Sequence, residues 1–233
     1  MGMLFDPARC GTAPLPELLD PRAYGSAALP VSQRGGRGSA WFVESSFGAG
    51  VLRHYRRGGF FARFNAEHYL WLGVDKARCT REYRLLRAMH SQGLPVPAPL
   101  AAGWWRRGLL YRQALLTERI PDAVSLAELM ARNAQRTPWE AVGQVIARFH
   151  RAGVWHADLN AHNILRDAAG NIWLIDFDRC TQGTASRQER EHNLLRLRRS
   201  LQKLGGEDGE AGWQRLYTAW LIAMDEAQTL PSS

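Results

Sequence analysis

The chain has 233 residues, 45% of them hydrophobic, enough for one large domain or for two small lobes around a cleft. Its net charge is +8, and because Lys76 and Lys203 are the only lysines among 30 basic residues, arginine carries nearly all of it; that residue suits phosphate and carboxylate partners, although codon bias toward arginine accounts for part of the count. Three scattered cysteines, Cys10, Cys79 and Cys180, suggest neither a disulfide framework nor a zinc site and fit a reducing cytosol, while the absence of a signal-peptide pattern and of any long apolar run argues against secretion or a membrane span.

Residues 1–30, rich in Pro and Ala, show no periodicity and are expected to form a loosely ordered arm over the first lobe. Val31 to Val43 has the form strand, glycine turn, strand. In kinases such a hairpin covers the ATP phosphates, because glycine lets backbone N–H groups come close. Gly36 and Gly38 supply two of the three glycines expected there, and Trp41 stands in place of the third. On its own this pattern is better read as an ordinary hairpin turn, and only its distance upstream of the loop at His156 raises the phosphate reading.

Gly50–Tyr55 reads as a strand with Val51 and Arg53 on one face. Kinases carry a lysine on this strand to grip the α- and β-phosphates, and no lysine precedes Lys76. Arg53 is therefore the candidate cation, with Arg56, Arg57 or Arg63 as alternatives. The run from Arg56 to Phe64 interleaves arginines with aromatics, which suits an acidic lipid surface or, as the preferred reading, packing between lobes.

The spacing predicts a helix from Thr80 to Gly93, with Thr80 as its cap and Leu85, Leu86 and Met89 facing inward. Glu82 lies on the same stripe. A buried carboxylate needs a cation, so Glu82 is expected to pair with Arg53, as the corresponding helix does in kinases; the alternative is a first-turn glutamate favoured only by the helix dipole. Ala101–Ile120 reads as a hairpin closing the first lobe, and Thr117–Pro121 as the crossing to the second, where backbone groups would hold adenine. Two capping boxes follow, Ser125 with Glu128 and Thr137 with Glu140, each opening a helix.

The densest chemistry lies at His156-Ala-Asp158-Leu-Asn160-Ala-His162-Asn163, followed by Asp176-Phe177-Asp178. Phosphoryl transfer needs a carboxylate to orient the attacking hydroxyl and accept its proton, then an amide oxygen and a second carboxylate to hold the magnesium that screens the ATP phosphates. Asp158 fits the first role; Asn163 and Asp176 fit the other two, at the spacing of kinase catalytic loops. Residues 163–176 read as a hairpin returning Asp176 to Asn163. His156 reads as a buried organiser of the loop. Beyond Asp178 there is no A-P-E motif and little room for a peptide platform, which disfavours a protein kinase of the eukaryotic type. The arginines of 187–204 suit an anionic acceptor, a membrane or a solvated helix face. A last helix near Ala211–Ala227 is expected to complete the second lobe.

With these residues in view, the chain resembles the bacterial lipopolysaccharide-core kinase family, on the branch that acts on 3-deoxy-D-manno-octulosonic acid (Kdo). The resemblance spans about Gly35 to Leu204. It rests on Gly36-Arg-Gly38 before Trp41, on Leu52 to Gly59, on Gly93-Leu-Pro-Val-Pro97, on the His156–Leu165 and Ile175–Arg179 motifs, and on Asn193 through Arg199-Ser-Leu. It implies an α+β, two-lobed protein-kinase-like fold: a small β-rich N-lobe with one regulatory-type helix over 31–119, and a mainly helical C-lobe over 120–233. It implies ATP-dependent, magnesium-assisted phosphorylation of a Kdo hydroxyl, the 4-hydroxyl, on the Kdo-lipid A precursor at the cytoplasmic face of the inner membrane, by a peripheral protein with no nucleic-acid partner. Carried over residue by residue, Asp158 is catalytic, Asn163 and Asp176 bind metal, and Gly36, Gly38, Arg53 and Glu82 serve the nucleotide. Asp178 replaces the usual glycine after Asp-Phe, which leaves its part in metal binding open. A different acceptor, such as a core heptose, an aminoglycoside or a protein, or a silent ATP-binding scaffold, is the alternative.

Overall fold

The computed structural model describes residues 1–11, 15–31, 40–56, 68–133, 137–183 and 186–226. The chain divides into two compact units, Met1–Ala88 with Pro97–Arg119, and Met89–Val96 with Ile120–Ser233.

The first unit is built on an antiparallel sheet. Its strands are β1 (Gly2–Phe5), β2 (Leu29–Pro30), β3 (Ala40–Ser45), β4 (Gly48–His54), β5 (Tyr69–Leu70), β6 (Pro99–Arg107) and β7 (Leu110–Glu118), in the order β1-β6-β7-β4-β3-β2 with β5 also on β7. The β6–β7 hairpin turns at Gly108, whose φ of 61° is one that glycine adopts without strain. Alternation on β4 buries Gly50 and Leu52 on one face, where Leu52 joins Val43, Leu100, Ala101 and Leu116 in the core, and aims Arg53 the other way.

The described residues among 1–30 do not form a loose arm. β1 pairs with β6 from Gly2↔Trp104 to Phe5↔Ala101, and β2 pairs with β3. Between them, α1 (Pro7–Cys10) is capped by Asp6, which accepts from Ala8 N at 3.0 Å. Pro16–Leu19 then turns as a 3-10 helix and drives Leu19, fully buried, against Gly103, where a Cβ would come within 2.4 Å of the leucine. Arg9 adds a two-bonded ion pair to Glu118 at 2.9 Å. The prolines that read as breaks sit at first helical positions, where a missing N–H costs nothing, and each piece is too short to show a period.

α2 (Arg78–Ser91) begins two residues before the expected cap, so Thr80 is fully buried inside the helix instead of capping it. Its stop is as expected: Gly93, at φ 70°, follows a terminus closed by Leu94 N to Met89 O at 3.0 Å.

The second unit is mainly helical. It contains α3 (Leu126–Asn133), α4 (Trp139–Arg151) and α5 (Arg187–Glu226), the last interrupted at Gly206. The apolar stripe Trp139, Val142, Ile146 and Phe149 of α4 is buried, and α5 answers with Leu194, Leu197, Leu201, Leu216 and Trp220. Gly143 lets the two helices touch, since a Cβ there would lie 2.2 Å from Leu216 O. Short strands complete the unit: β8 (Val124–Ser125), β10 (Ile164–Arg166) and β11 (Ile172–Leu174) form one sheet, and β9 (Val154–Trp155) pairs with β12 (Thr181–Gln182).

Ser125 and Glu128 form the expected capping box. Thr137 and Glu140 do not, because Pro138 takes the cap position and the Thr137 hydroxyl donates back to Asn133 O at 3.2 Å. An unforeseen box opens α5, with Ser186 N on Glu189 Oε2 at 2.7 Å and Glu189 N on Ser186 Oγ at 3.2 Å. Among the described residues no helix is long and apolar enough to cross a membrane.

Candidate functional site

β9 delivers the chain into the loop His156–Asn163, which is wound on its own polar groups. The carbonyl of Asp158 accepts from Asn160 Nδ2 at 2.9 Å and from Asn163 Nδ2 at 3.0 Å. Asn163 thus spends one of its amide hydrogens on the loop itself. The β10–β11 hairpin, registered Ile164↔Leu174 and turned over Asp167–Asn171, brings the chain back so that Ile175 N donates to Asn163 O at 3.0 Å. Asp176 therefore stands beside Asn163. It holds φ at 65°, a left-handed conformation that aspartate tolerates better than most residues.

Asn163 and Asp176, brought to the same end of the hairpin by the Ile175–Asn163 bond, each carry a hard oxygen donor. Among the described residues no three His, Cys, Asp or Glu side chains converge on one point. Two protein oxygens suit magnesium in particular, since that ion keeps several waters and takes the remainder of its shell from substrate phosphates.

Beneath the loop lies a buried chain of neutral groups. His156, 3% exposed, accepts from Asp158 N through Nδ1 at 3.1 Å and meets Ile175 O through Nε2 at 2.9 Å. A ring nitrogen that faces a backbone N–H must accept, so the proton sits on Nε2. Burial holds the pKa of His156 below its usual value, and Phe177 packs on the ring at 4.8 Å. From α5, Asn193 accepts from His156 N at 3.2 Å and donates to His156 O. Its oxygen also meets His150 Nε2 at 3.1 Å, while His150 Nδ1 accepts from Trp220 Nε1 at 3.0 Å. Trp220, His150 and Asn193 thus tie α4 and α5 to the loop backbone.

Burial, opposed by the Asn193 bond, pushes His150 down to about 4. Because this folded value lies below the unfolded one of about 6.5, the unfolded chain takes up the proton first as pH falls. The stability associated with neutral His150 is complete above pH 6.5 and declines toward pH 4, by about 3 kcal/mol in all, and His156 acts in the same direction. Urea unfolding midpoints at pH 7.5 and 4.5 should differ accordingly, and His150→Gln should reduce that difference whatever its own baseline.

Asp158 is half exposed, and Arg196 of α5 holds its Oδ1 through Nε at 2.9 Å and through Nη2. Sequence reasoning left Arg196 among the arginines of 187–204. Once Leu194, Leu197 and Leu201 bury the opposite face of α5, the position of Arg196 follows, but no residue type or spacing marks which arginine reaches the loop.

In the first unit, Arg53 and Glu82 meet. Nη2 of Arg53 lies 2.5 and 2.6 Å from the two oxygens of Glu82, which is 3% exposed, and the Tyr55 hydroxyl donates to Oε2. Burial first, and then the Glu82 charge, raise the Tyr55 phenol well above its ordinary value. The Arg53 guanidinium also stands 4.8 Å from the Tyr55 ring centre. Of the alternative cations Arg56 is exposed; Arg57 and Arg63, like Gly36, Gly38 and most of the Arg56–Phe64 run, lie outside the described residues. Near the crossing segment, the N–H groups of Glu118 and Arg119 are taken by Ala98 O and Ala49 O at 2.8 and 3.0 Å, so neither is available to adenine.

Residues 25–220 match the family described as Lipopolysaccharide kinase (Kdo/WaaP) family. A protein of Stenotrophomonas maltophilia strain R551-3, named 3-deoxy-D-manno-octulosonic acid kinase, is 50% identical over 225 residues, covering 97% of this chain and 90% of its own. Proteins of the same name from Xanthomonas axonopodis pv. citri strain 306 and Xylella fastidiosa strain M23 are 50% identical over 225 residues and 53% identical over 190; these cover 95% and 82% of this chain, and 90% and 76% of theirs. A solved structure titled "WaaP in complex with acyl carrier protein" superposes with a TM-score of 0.59 at 18% identity, covering 98% of this chain and 94% of the other. The protein-kinase-like fold expected from the sequence is the fold the chain has.

Proposed function

Since the chain belongs to the lipopolysaccharide kinase (Kdo/WaaP) family and is a phosphotransferase acting on a sugar hydroxyl, we propose that it moves the γ-phosphoryl group of ATP to the 4-hydroxyl of Kdo on the Kdo-lipid A precursor. The observation that carries this reading is the loop itself: Asp158 stands five residues before Asn163, and the Ile175–Asn163 bond sets Asp176 beside that asparagine.

Asp158 receives the proton of the attacking hydroxyl as the new O–P bond forms and the bond to the ADP oxygen breaks. Arg196 occupies Oδ1, which leaves Oδ2 for the hydroxyl. Asn163 and Asp176 would hold magnesium, which supplies neutralisation of the phosphate oxygens when bound. Arg53, fixed by Glu82 and Tyr55, takes the part of the phosphate-gripping lysine, and Gly36 and Gly38 are assigned to the ATP phosphates on their sequence positions alone. The acceptor's lipid places the work at the cytoplasmic face of the inner membrane, with the protein bound peripherally. The net charge of +8 supports such a location by favouring anionic headgroups.

Phosphorus–proton correlation spectra of the product would test the regiochemistry. A cross-peak from the new phosphate to the proton on C4 of Kdo is expected. A cross-peak to any other ring position would refute the 4-hydroxyl assignment.

A further inference from the structure

Beside the catalytic loop lies an open pocket of about 530 Å³ that none of the roles above uses. One wall is the loop, at Trp155, His156 and Ala157; the other is α5, at Glu189, His192, Asn193, Leu195, Arg196 and Arg199. His192, Arg196 and Arg199 follow one another at steps of four and three residues, so they form a stripe along one helix face. All three are exposed.

We propose that this pocket is a subsite for an anionic sugar, in which Arg199 and the outward half of Arg196 receive an oxyanion while Trp155 and Leu195 receive the apolar face of the ring. The inference rests on the acceptor reading above and deepens it. Two features of the pocket point to an anion. Among the described residues neither His192 nor Arg199 has an acidic partner within ion-pair distance, and the single acidic lining residue, Glu189, is turned to the helix start, where Ser186 N holds its carboxylate. Arg196 spends Nε and one Nη2 hydrogen on Asp158, and the rest of its five donors remain for a second oxyanion. Half-buried Trp155 on the loop wall and exposed Leu195 on α5 add apolar surface that suits the C–H face of a sugar.

Arg196 is then shared between Asp158 and the acceptor. An anion on its outward side fixes the guanidinium that orients the Asp158 carboxylate, so acceptor recognition and orientation of the proton acceptor become one event. Arg196 acts through Asp158 as a positioning residue, and Arg199 is a binding residue only. A reacting hydroxyl at Asp158 and an oxyanion across Arg196 from it suit a ring that carries both, which is the chemistry of a sugar acid. The oxyanion could also be a phosphate on the lipid anchor.

Initial-rate kinetics of the full chain would separate these, using wild type, Arg199→Gln and Arg199→Lys with three acceptors: the intact Kdo-lipid precursor, its Kdo methyl ester and its dephosphorylated form. Binding of free Kdo without ATP would be followed by calorimetry in parallel. The expected result is an acceptor KM raised roughly tenfold to a hundredfold by Arg199→Gln, partly restored by Arg199→Lys, with the nucleotide KM within about twofold of wild type. If the carboxylate is the oxyanion, the methyl ester shows the same loss with wild type and no further loss with Arg199→Gln, and free Kdo binding weakens in the variant. If the phosphate is, that masking appears with the dephosphorylated acceptor instead. Equal losses on all three acceptors, or an unchanged KM on each, would overturn the subsite. Were no acceptor phosphorylated, the calorimetry alone would decide: binding of free Kdo that Arg199→Gln weakens keeps the subsite while the kinase reading fails, and undetectable or unaltered binding sinks it.

Discussion

Asp158→Ala is expected to abolish phosphoryl transfer while leaving the chain folded. A positioned proton acceptor contributes on the order of 10²- to 10⁴-fold to a rate, and the loop offers no second carboxylate at this point, since Asp176 belongs with Asn163. The structural cost is small. The Asp158 and Arg196 side chains are 51% and 49% exposed, and ion pairs so exposed are worth about 0–1 kcal/mol. Turnover should therefore fall by at least about a hundredfold, with a melting temperature within a few degrees of wild type. Asp158→Asn would keep the loop shape and the contact to Arg196 but not the basicity, and should be nearly as inactive. A variant that retained near-normal turnover would remove Asp158 from the mechanism.

Glu82→Ala should have the largest effect on stability. It leaves the Arg53 guanidinium and the buried Tyr55 hydroxyl without the carboxylate that satisfies both, and removing one partner of a buried pair costs about 3–5 kcal/mol. Paired replacement by apolar residues behaves differently, because it removes the stranded charge along with its partner. Arg53→Met with Glu82→Leu should recover much of that stability and still fail in transfer, having lost the cation assigned to the phosphates. Chemical unfolding and turnover of the two single variants and the double variant would check this. If the double variant regained activity along with stability, Arg53 would have no part in phosphate binding.

The local placement of the candidate site residues was the most legible in the sequence. Asp158, Asn163 and Asp176 are recognisable because an aspartate five residues before an asparagine and a hairpin-length return to a second aspartate fix their relation through local geometry alone. Arg53 and Glu82 were found by need, since a carboxylate on a buried helical stripe requires a cation and β4 supplied one. Elements fixed by distant contacts were not legible. The described residues among 1–30 gain their structure from the β6 edge and from the hole left by Gly103, neither of which leaves a periodic trace in four-residue segments. Thr137 carries a capping-box signature that Pro138 defeats, whereas Ser186-Arg-Gln-Glu189 carries the same signature and forms. The polar chain Trp220–His150–Asn193 depends on two helices meeting 43 and 70 residues apart in sequence. Arg196 is one of several arginines on one helix, and only the seating of its leucines chooses it.

The most direct test of the central claim is transfer of labelled γ-phosphate from magnesium-ATP to purified Kdo-lipid A precursor. A heptose-bearing core and a generic protein would run beside it, with wild type and Asp158→Ala. Label on the Kdo acceptor alone, lost in the variant, is the predicted result. Label on the heptose core or the protein in its place would contradict the acceptor, and label on the Kdo acceptor that survived Asp158→Ala would contradict the mechanism.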